Sequence, residues 1–115
     1  MTLTMCVLLW ARPGQDDDLT AYEDRVLALV PEHGGRVLQR ARGDGAGDQP
    51  LEVQILEFPS PAALGAYMDD GRRTALAGDR DRAIARTEVI NVELLQPAER
   101  EPVEREPVER EPSGP

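Results

Sequence analysis

Apolar side chains recur in four strand-like segments along this sequence. Leu3–Ala11 is an almost unbroken apolar run that Pro13-Gly14 ends, and it predicts a strand buried on both faces. Residues 51–58 show the clearest alternation in the chain, residues 36–42 show a looser one, and residues 88–95 form a final strand-like run. Prolines, glycines and a polar Gly-rich loop break up the chain between these segments, as expected in a small domain that contains a sheet.

The segment after the first strand has the spacing of an amphipathic helix. Aspartates at positions 16–18 offer an N-cap and favourable negative charge for its first turn. The apolar positions that recur at helical spacing are Leu19, Tyr22, Val26, Leu29 and Val30. This pattern places Glu23 on the outward face and ends the helix near Pro31, before a turn at His33-Gly34-Gly35.

A second helical region is predicted between the third and fourth strands. Ser60 is a good N-cap with Pro61 at the first helical position, and the helix should run from Ala62 to about Asp70. The charged segment 72–86 predicts one further helix or two short ones. The order β-α-β-β-α-(α)-β favours an α+β, ferredoxin-like fold, in which a four-stranded antiparallel sheet carries its helices on one face.

The predicted strands are apolar on both faces. The two sets in the first strand are Leu3, Met5, Val7 and Leu9, and Cys6, Leu8 and Trp10; those in residues 51–58 are Leu51, Val53 and Ile55, and Leu56 and Phe58. One set of faces packs against the helices, and the other would form an exposed apolar patch larger than monomers usually show. We therefore expect a homodimer with two-fold symmetry in which sheet faces sheet.

The end of the chain differs in composition from the rest. Residues 98–115 repeat the motif E-R-E-P-V almost three times, and proline at every fifth position of the repeat forbids a regular helix. The segment is also too poor in large apolar residues to offset the entropy cost of ordering. We predict one folded domain over residues 1–97 and an extended or disordered tail over residues 98–115.

Charge and residue content argue against several classes of function. The net charge of −9 disfavours nucleic acid and anionic lipid as partners, and the absence of lysine excludes Schiff-base chemistry. Cys6 and His33, the single cysteine and histidine, cannot form a disulfide within the chain or a Cys- or His-rich metal site. The N-terminal apolar run predicts neither a signal peptide nor a membrane span, so we expect a cytoplasmic protein. We also expect no cofactor.

Four short motifs, taken in order and spacing, resemble a known superfamily. They are Tyr22-Glu23, His33-Gly34-Gly35-Arg36, Glu57-Phe58-Pro59-Ser60 and Ala66-Tyr67-Met68-Asp69. Together they span roughly residues 5–95 and resemble the dimeric α/β-barrel superfamily, in particular a branch of small bacterial domains of unknown function. The resemblance implies two sheets packed into a barrel-like dimer, with a cavity between sheet and helices in each subunit. Asp70-Gly71-Arg72-Arg73 departs from that branch, which has a Ser-Pro-Glu-Tyr type of sequence there.

Seven residues are candidates for a site in such a cavity. The candidates for acid/base catalysis are His33, Arg12, Glu57 and Asp69. The candidates for ligand binding are Trp10, Tyr67 and Arg40. For each we favour a structural alternative: a histidine at a helix C-terminus, aromatic residues in the core, and charged residues in surface ion pairs.

The superfamily resembled here covers many kinds of chemistry, so the function stays open between two main hypotheses. The one we favour is a dimeric protein that binds a small organic molecule between sheet and helices. The alternative is a cofactor-independent monooxygenase, isomerase or cyclase acting on a small aromatic or polyketide-like substrate, and haem binding is a third option. Catalysis predicts that Arg12, Glu57 or His33 lies inside the cavity, whereas a closed, wholly apolar cavity would argue against it.

Overall fold

The structure, a computed structural model, describes residues 2–95. Within this range the strands and helices follow one another in the predicted order. They are β1 (Leu3–Ala11), α1 (Asp16–Leu27), a 3₁₀ helix (Val30–His33), β2 (Arg36–Arg42), β3 (Glu52–Phe58), α2 (Pro61–Met68), α3 (Gly71–Thr74), α4 (Ala77–Ala83) and β4 (Ile84–Asn91). The tail predicted at residues 98–115 lies outside the described residues, so the domain boundary near residue 97 stays a prediction.

The four strands of this range form one antiparallel sheet in the order β2-β3-β1-β4. In the central strand β1, Cys6 pairs with Ile55 of β3 on one side and with Ile90 of β4 on the other. Each helical region connects two strands that are separated by a third, which is the split βαβ arrangement. The predicted α+β, ferredoxin-like architecture is confirmed.

The helices cover one face of the sheet and leave the other uncovered. Met5, Val7 and Leu9 of β1 are buried on the helix-covered face, where they form one core with residues of α1 such as Leu19 and Val26. The alternate residues point to the opposite face, which we call the open face. Its apolar residues include Cys6, Leu8, Trp10, Val53, Ile55 and Ile90.

The helix-covered face of β3 buries polar as well as apolar side chains. Leu56 and Phe58 lie on it as expected, and Glu52 and Gln54 lie on the same face with only 1% of each residue exposed. Buried polar groups in folded proteins nearly always have hydrogen-bond partners. The alternation of this strand therefore places a polar network beneath the helices.

The first helix is shorter than the sequence predicts. α1 ends at Leu27, and the separate 3₁₀ helix contains Pro31, which lacks the N–H that a continuing α-helix would bond to Leu27. The predicted aspartate cap is also wrong. Gln15 occupies the N-cap position and makes no side-chain capping hydrogen bond.

The second helical region and the last strand differ from the prediction in their boundaries. The Ser60 cap is confirmed, because its Oγ accepts a hydrogen bond of 3.1 Å from the backbone N–H of Ala63. β4 occupies Ile84–Asn91 rather than residues 88–95. The strand begins early because α4 ends at Ala83 and the next residue already pairs with Ala11 of β1.

The turn between the 3₁₀ helix and β2 needs its two glycines for different reasons. Gly34 caps the helix with a φ of 79°, a left-handed conformation that favours glycine. Gly35 sits against β3, and a Cβ atom there would lie 2.8 Å from the carbonyl oxygen of Glu57 and 2.8 Å from Cγ1 of Val30. These separations are shorter than non-bonded atoms tolerate.

Gly35→Ala is expected to lower the free energy of unfolding by about 1–3 kcal/mol, because a backbone atom and a packed side chain would have to move. Gly65→Ala is the matched control. A Cβ atom on Gly65 meets nothing within 4 Å. Alanine is more favourable than glycine in the interior of a helix by about 0.5–1 kcal/mol, so this variant should be as stable as wild type or slightly more stable. Urea denaturation measures both changes, and equal midpoints for Gly35→Ala and wild type would contradict the close contact.

Candidate functional site

A cavity of about 310 Å³ lies between the helix-covered face of the sheet and the helices. The apolar side chains of its sheet side are Met5, Val7, Leu9, Leu56 and Phe58. Val26 and Leu27 of α1 and Leu64 of α2 form part of the helix side. Met68 and Val89 also line the cavity and are 44% and 56% exposed, so they mark its mouth. The volume is at the low end of small-molecule pockets.

Five polar side chains interrupt this apolar lining, and each comes from a different element. They are Glu23 of α1, Gln54 of β3, Arg73 of α3, Arg80 of α4 and Thr87 of β4. Arg80 Nη2 donates a hydrogen bond of 3.2 Å to Thr87 Oγ1. The cavity is therefore neither closed nor wholly apolar, and only the tertiary fold brings its polar groups together.

Glu23 lies on the inner side of α1 and is only 6% exposed, so its predicted outward position is wrong. Its Oε1 accepts a hydrogen bond of 2.8 Å from Gln54 Nε2. Burial is the main influence on its carboxyl group and raises the pKa of Glu23, and the charge of Glu52 acts in the same direction. The hydrogen bond from Gln54 and the charges of Arg40 and Arg73 oppose the rise without cancelling it.

Glu52 is a second buried carboxylate, and its partners hold it charged. Arg40 Nε and Nη2 donate to its two oxygens at 2.8 and 3.0 Å, and Thr20 Oγ1 donates at 2.7 Å. Burial alone would raise the pKa of Glu52, but the hydrogen bonds from Arg40, Thr20 and Gln54 and the charge of Arg40 together lower it.

Gln54 connects the two carboxyl groups, since its Nε2 also lies 3.2 Å from Glu52 Oε1. The pKa values of Glu23 and Glu52 are displaced in opposite directions. Such a separation is typical of sites that keep one carboxylate charged and let the other exchange a proton. Glu23 is the member of this pair whose pKa is raised, and it is the member that lines the cavity.

Arg73 brings an incompletely paired guanidinium group to the cavity. Its Cζ lies 5.2 Å from the centroid of the Tyr67 ring, and its Nη1 donates a long hydrogen bond of 3.4 Å to the carbonyl oxygen of Met68. Its Nε is buried, and no acceptor within residues 2–95 bonds to it. A buried donor without a partner is unusual in a folded protein, so this group is suited to an acceptor that enters the cavity.

Tyr67 is the predicted ligand-binding residue that the structure places in the cavity lining. Its Oη donates to the carbonyl oxygen of Val26 at 3.1 Å, and its ring lies 5.3 Å from the Phe58 ring. Burial raises the pKa of Tyr67, although Arg73 opposes the shift. The ring thus forms a fixed wall beside the guanidinium group.

The other two ligand-binding candidates lie away from the cavity. Trp10 is on the open face, where its Nε1 donates to the carbonyl oxygen of Asp48 at 2.8 Å and Arg86 stacks 4.2 Å from its ring centroid. Arg40 binds Glu52 and also donates to Asp24 at 2.7 Å. Both side chains have protein partners in these positions.

The four acid/base candidates also lie outside the cavity lining and are not brought together. Arg12 donates to a backbone carbonyl at 2.7 Å, and His33 Nε2 lies 2.8 Å from Asp70 Oδ2. Glu57 pairs with an arginine of β2 on the open face, and Asp69 is exposed at the end of α2. Their catalytic roles stay predictions from the sequence.

Known structures share this fold at low sequence identity. A protein of unknown function from Rhodopseudomonas palustris matches with a TM-score of 0.67 and 21% identity, over 84% of each chain. A dimeric ferredoxin-like protein of unknown function from Jannaschia matches with a TM-score of 0.61 and 17% identity, over 82% of this chain and all of that one. A protein from Bacteroides thetaiotaomicron, proposed to be an antibiotic biosynthesis monooxygenase, matches with a TM-score of 0.62 and 17% identity, over 87% and 95%.

These similarities confirm the fold suggested by the resemblance to the dimeric α/β-barrel superfamily. No protein-family model and no curated protein sequence matches this chain.

In residues 2–95, no group of three or more His, Cys, Asp or Glu side chains is arranged to hold a metal ion. No helix in the same range is both long enough and apolar enough to cross a membrane.

Proposed function

We propose that the chain binds a small, flat, mostly apolar organic molecule in the cavity, with one oxygen atom that carries or develops negative charge. The observation that supports this most is the buried Nε of Arg73, which no acceptor in the described range satisfies. An anionic oxygen there would complete the hydrogen bonds of the guanidinium group. Charge-assisted hydrogen bonds are strong where water is largely excluded.

The rest of the lining suits a hydrocarbon body. Phe58, Tyr67 and Leu64 line the same cavity as Arg73, and Met5 and Val7 form part of its sheet side. A cavity of about 310 Å³ has room for a body of roughly one or two fused rings. Glu23 lines the same cavity, and in its protonated form it can donate a further hydrogen bond to a ligand.

Arg73→Met is expected to weaken binding of 2-naphthoate by about 10- to 100-fold, which corresponds to the ~1.5–3 kcal/mol of a hydrogen bond to a charged group. Methionine keeps most of the aliphatic length of the Arg73 side chain and removes the donors. Titration calorimetry with the full chain measures the change. Naphthalene-2-methanol, which has the same rings without the charge, should bind both proteins with similar affinity.

Arg82→Met is the matched control for this experiment. Arg82 belongs to α4, its side chain is 71% exposed and it does not line the cavity. The control should bind 2-naphthoate as wild type does. Equal affinity of Arg73→Met and wild type, or no binding of 2-naphthoate by wild type, would contradict the proposal.

The same proposal includes a homodimer that covers the open face, with a second copy of the chain as the partner. Cys6, Leu8, Val53 and Ile55 form a continuous apolar area there, and Ile90 beside them is 47% exposed. A contiguous group of apolar side chains on an uncovered sheet face is typical of a surface that binds another protein. The description of the Jannaschia protein as dimeric supports the same oligomeric state.

A second candidate function is cofactor-independent monooxygenation of an aromatic or polyketide-like substrate, or its isomerisation or cyclisation. The fold of the Bacteroides thetaiotaomicron protein favours it, as does a titratable carboxyl group in a cavity that also contains an arginine. Oxidation of 1-naphthol by O₂ to 1,4-naphthoquinone and water is a balanced test reaction that needs no other reductant. Oxygen uptake above the rate in buffer would favour this function over binding alone, and uptake at the buffer rate would argue against it.

A further inference from the structure

We infer that Glu23 transfers protons in the cavity: it removes a proton from the carbon next to the carbonyl group of a bound ketone and returns it. The chain would thereby interconvert the keto and enol forms of a small apolar ketone. This inference rests on the binding function proposed above and adds a reaction at the same site. It uses a residue that the sequence pattern had placed on the outer face of α1.

The carboxyl group is positioned for contact with a ligand. Glu23 lines the cavity although the residue is only 6% exposed, so most of its surface is in contact with protein. Gln54 holds Oε1 at 2.8 Å and thereby fixes the direction of the group. No donor within residues 2–95 bonds to Oε2. One oxygen is therefore anchored while the other is left for a ligand.

The surroundings adjust the basicity of this group in the useful direction. The charged and titratable groups that act on it are Glu52 of β3, Arg40 of β2 and Arg73 of α3. Tyr67 of α2 and Arg80 of α4 line the same cavity. Because burial outweighs the opposing influences, the pKa of Glu23 lies above that of an exposed glutamate. A carboxyl group with a raised pKa is both a stronger base and a better proton donor near neutral pH.

The proposed step is balanced without any further reactant. The Glu23 carboxylate takes a proton from the carbon adjacent to the carbonyl group, and the electron pair of that C–H bond becomes the C=C bond of an enolate. The negative charge moves to the ligand oxygen, which Arg73 stabilises by donating from its unpaired Nε. The neutral Glu23 carboxyl group then returns the proton to carbon or to the enolate oxygen.

Exchange of the C1 protons of 2-tetralone in D₂O, followed by ¹H NMR with the full-length chain, tests this step. Wild type should accelerate the exchange over buffer, with a rate that rises with pH as Glu23 ionises. Glu23→Gln keeps the acceptor for Gln54 and removes the base, so we expect the protein-dependent rate to fall by about 100-fold or more. Glu32→Gln, an exposed substitution in the 3₁₀ helix, is the matched control and should exchange as wild type does.

Two further measurements separate this inference from the binding proposal. The affinity for 2-naphthoate reports on binding alone, and it should change far less in Glu23→Gln than the exchange rate does. Binding of 2-naphthoate without protein-dependent exchange of 2-tetralone would overturn the inference and leave the binding proposal intact. Absence of 2-naphthoate binding would overturn both.

Chemical rescue of a second variant, Glu23→Ala, tests the inference even if Glu23→Gln fails to fold. In Glu23→Ala, added formate can occupy the place of the missing carboxyl group. Partial return of exchange with rising formate concentration would support a carboxylate acting at this position. Exchange in Glu23→Gln at the wild-type rate, or no rescue of Glu23→Ala at saturating formate, would overturn the inference.

Discussion

Arg40→Met is expected to lower the free energy of unfolding by about 3–5 kcal/mol, because it leaves a buried carboxylate without its counter-ion. Glu52 is 1% exposed and receives hydrogen bonds of 2.8 and 3.0 Å from the Arg40 guanidinium group. Thr20 and Gln54 would still donate to it, but neither carries positive charge. Methionine keeps most of the aliphatic stem, so the loss measures the missing charge and donors. Urea denaturation at neutral pH monitors this change.

Arg25→Met is the matched control, at an ion pair that lies outside both the cavity lining and the open face. Arg25 Nη2 donates to Asp79 Oδ2 at 2.6 Å, and the side chain of Arg25 is 56% exposed. Exposed ion pairs contribute about 0–1 kcal/mol, so this variant should unfold close to wild type. A similar loss in both variants would contradict the importance of the burial of Glu52.

The difference between Arg40→Met and wild type should shrink as the pH falls. In wild type the pKa of Glu52 lies below its ordinary 4.5, so the pair stabilises the fold above that pH and its contribution is lost as the pH falls through the folded value. Without Arg40, burial becomes the dominant influence and raises the pKa of Glu52. The variant is then destabilised most at neutral pH, and the destabilisation decreases on acidification toward pH 4.5 because Glu52 becomes protonated.

Local patterns in the sequence predicted the bounds of those strands whose own residues form an apolar run or an alternation. The bounds of β1 and β2 agree with the apolar run and the loose alternation of the sequence. The start of β4 could not be predicted this way. Arg86 and Thr87 are polar, and they are in the strand because Trp10 and Leu9 of β1 pair with them across the sheet.

The sequence could have revealed two polar groups of the cavity, Glu23 by helical spacing and Gln54 by the alternation of β3, but not the two arginines. Glu23 is four residues after Leu19 and four before Leu27, so it lies on the buried stripe of α1. Because glutamate is charged, the predicted position of Glu23 is on the outer face instead. Arg73 and Arg80 belong to helices of four and seven residues, which are too short to define an inner face by periodicity. Their inward positions depend on tertiary packing.

Ile90→Glu is expected to convert the proposed dimer into monomers at micromolar concentration. Ile90 lies beside Cys6 on the open face and is 47% exposed in the single chain, so the substitution should leave the fold of the subunit intact. In a sheet-to-sheet dimer the new carboxylate would be buried against the partner without a counter-ion, which costs several kcal/mol. Light scattering should show a mass near 12.6 kDa for this variant, and twice that mass for wild type.

Val89→Glu is the control that distinguishes burial of the new carboxylate on the open face from the general effect of added negative charge. Val89 is the preceding residue of the same strand and is 56% exposed, but it points to the helix-covered side at the mouth of the cavity. General repulsion between acidic subunits would dissociate both variants equally, because both add the same charge at adjacent positions. Dissociation of Ile90→Glu alone would therefore identify the open face as the interface, and dimers in both variants would contradict the sheet-to-sheet arrangement.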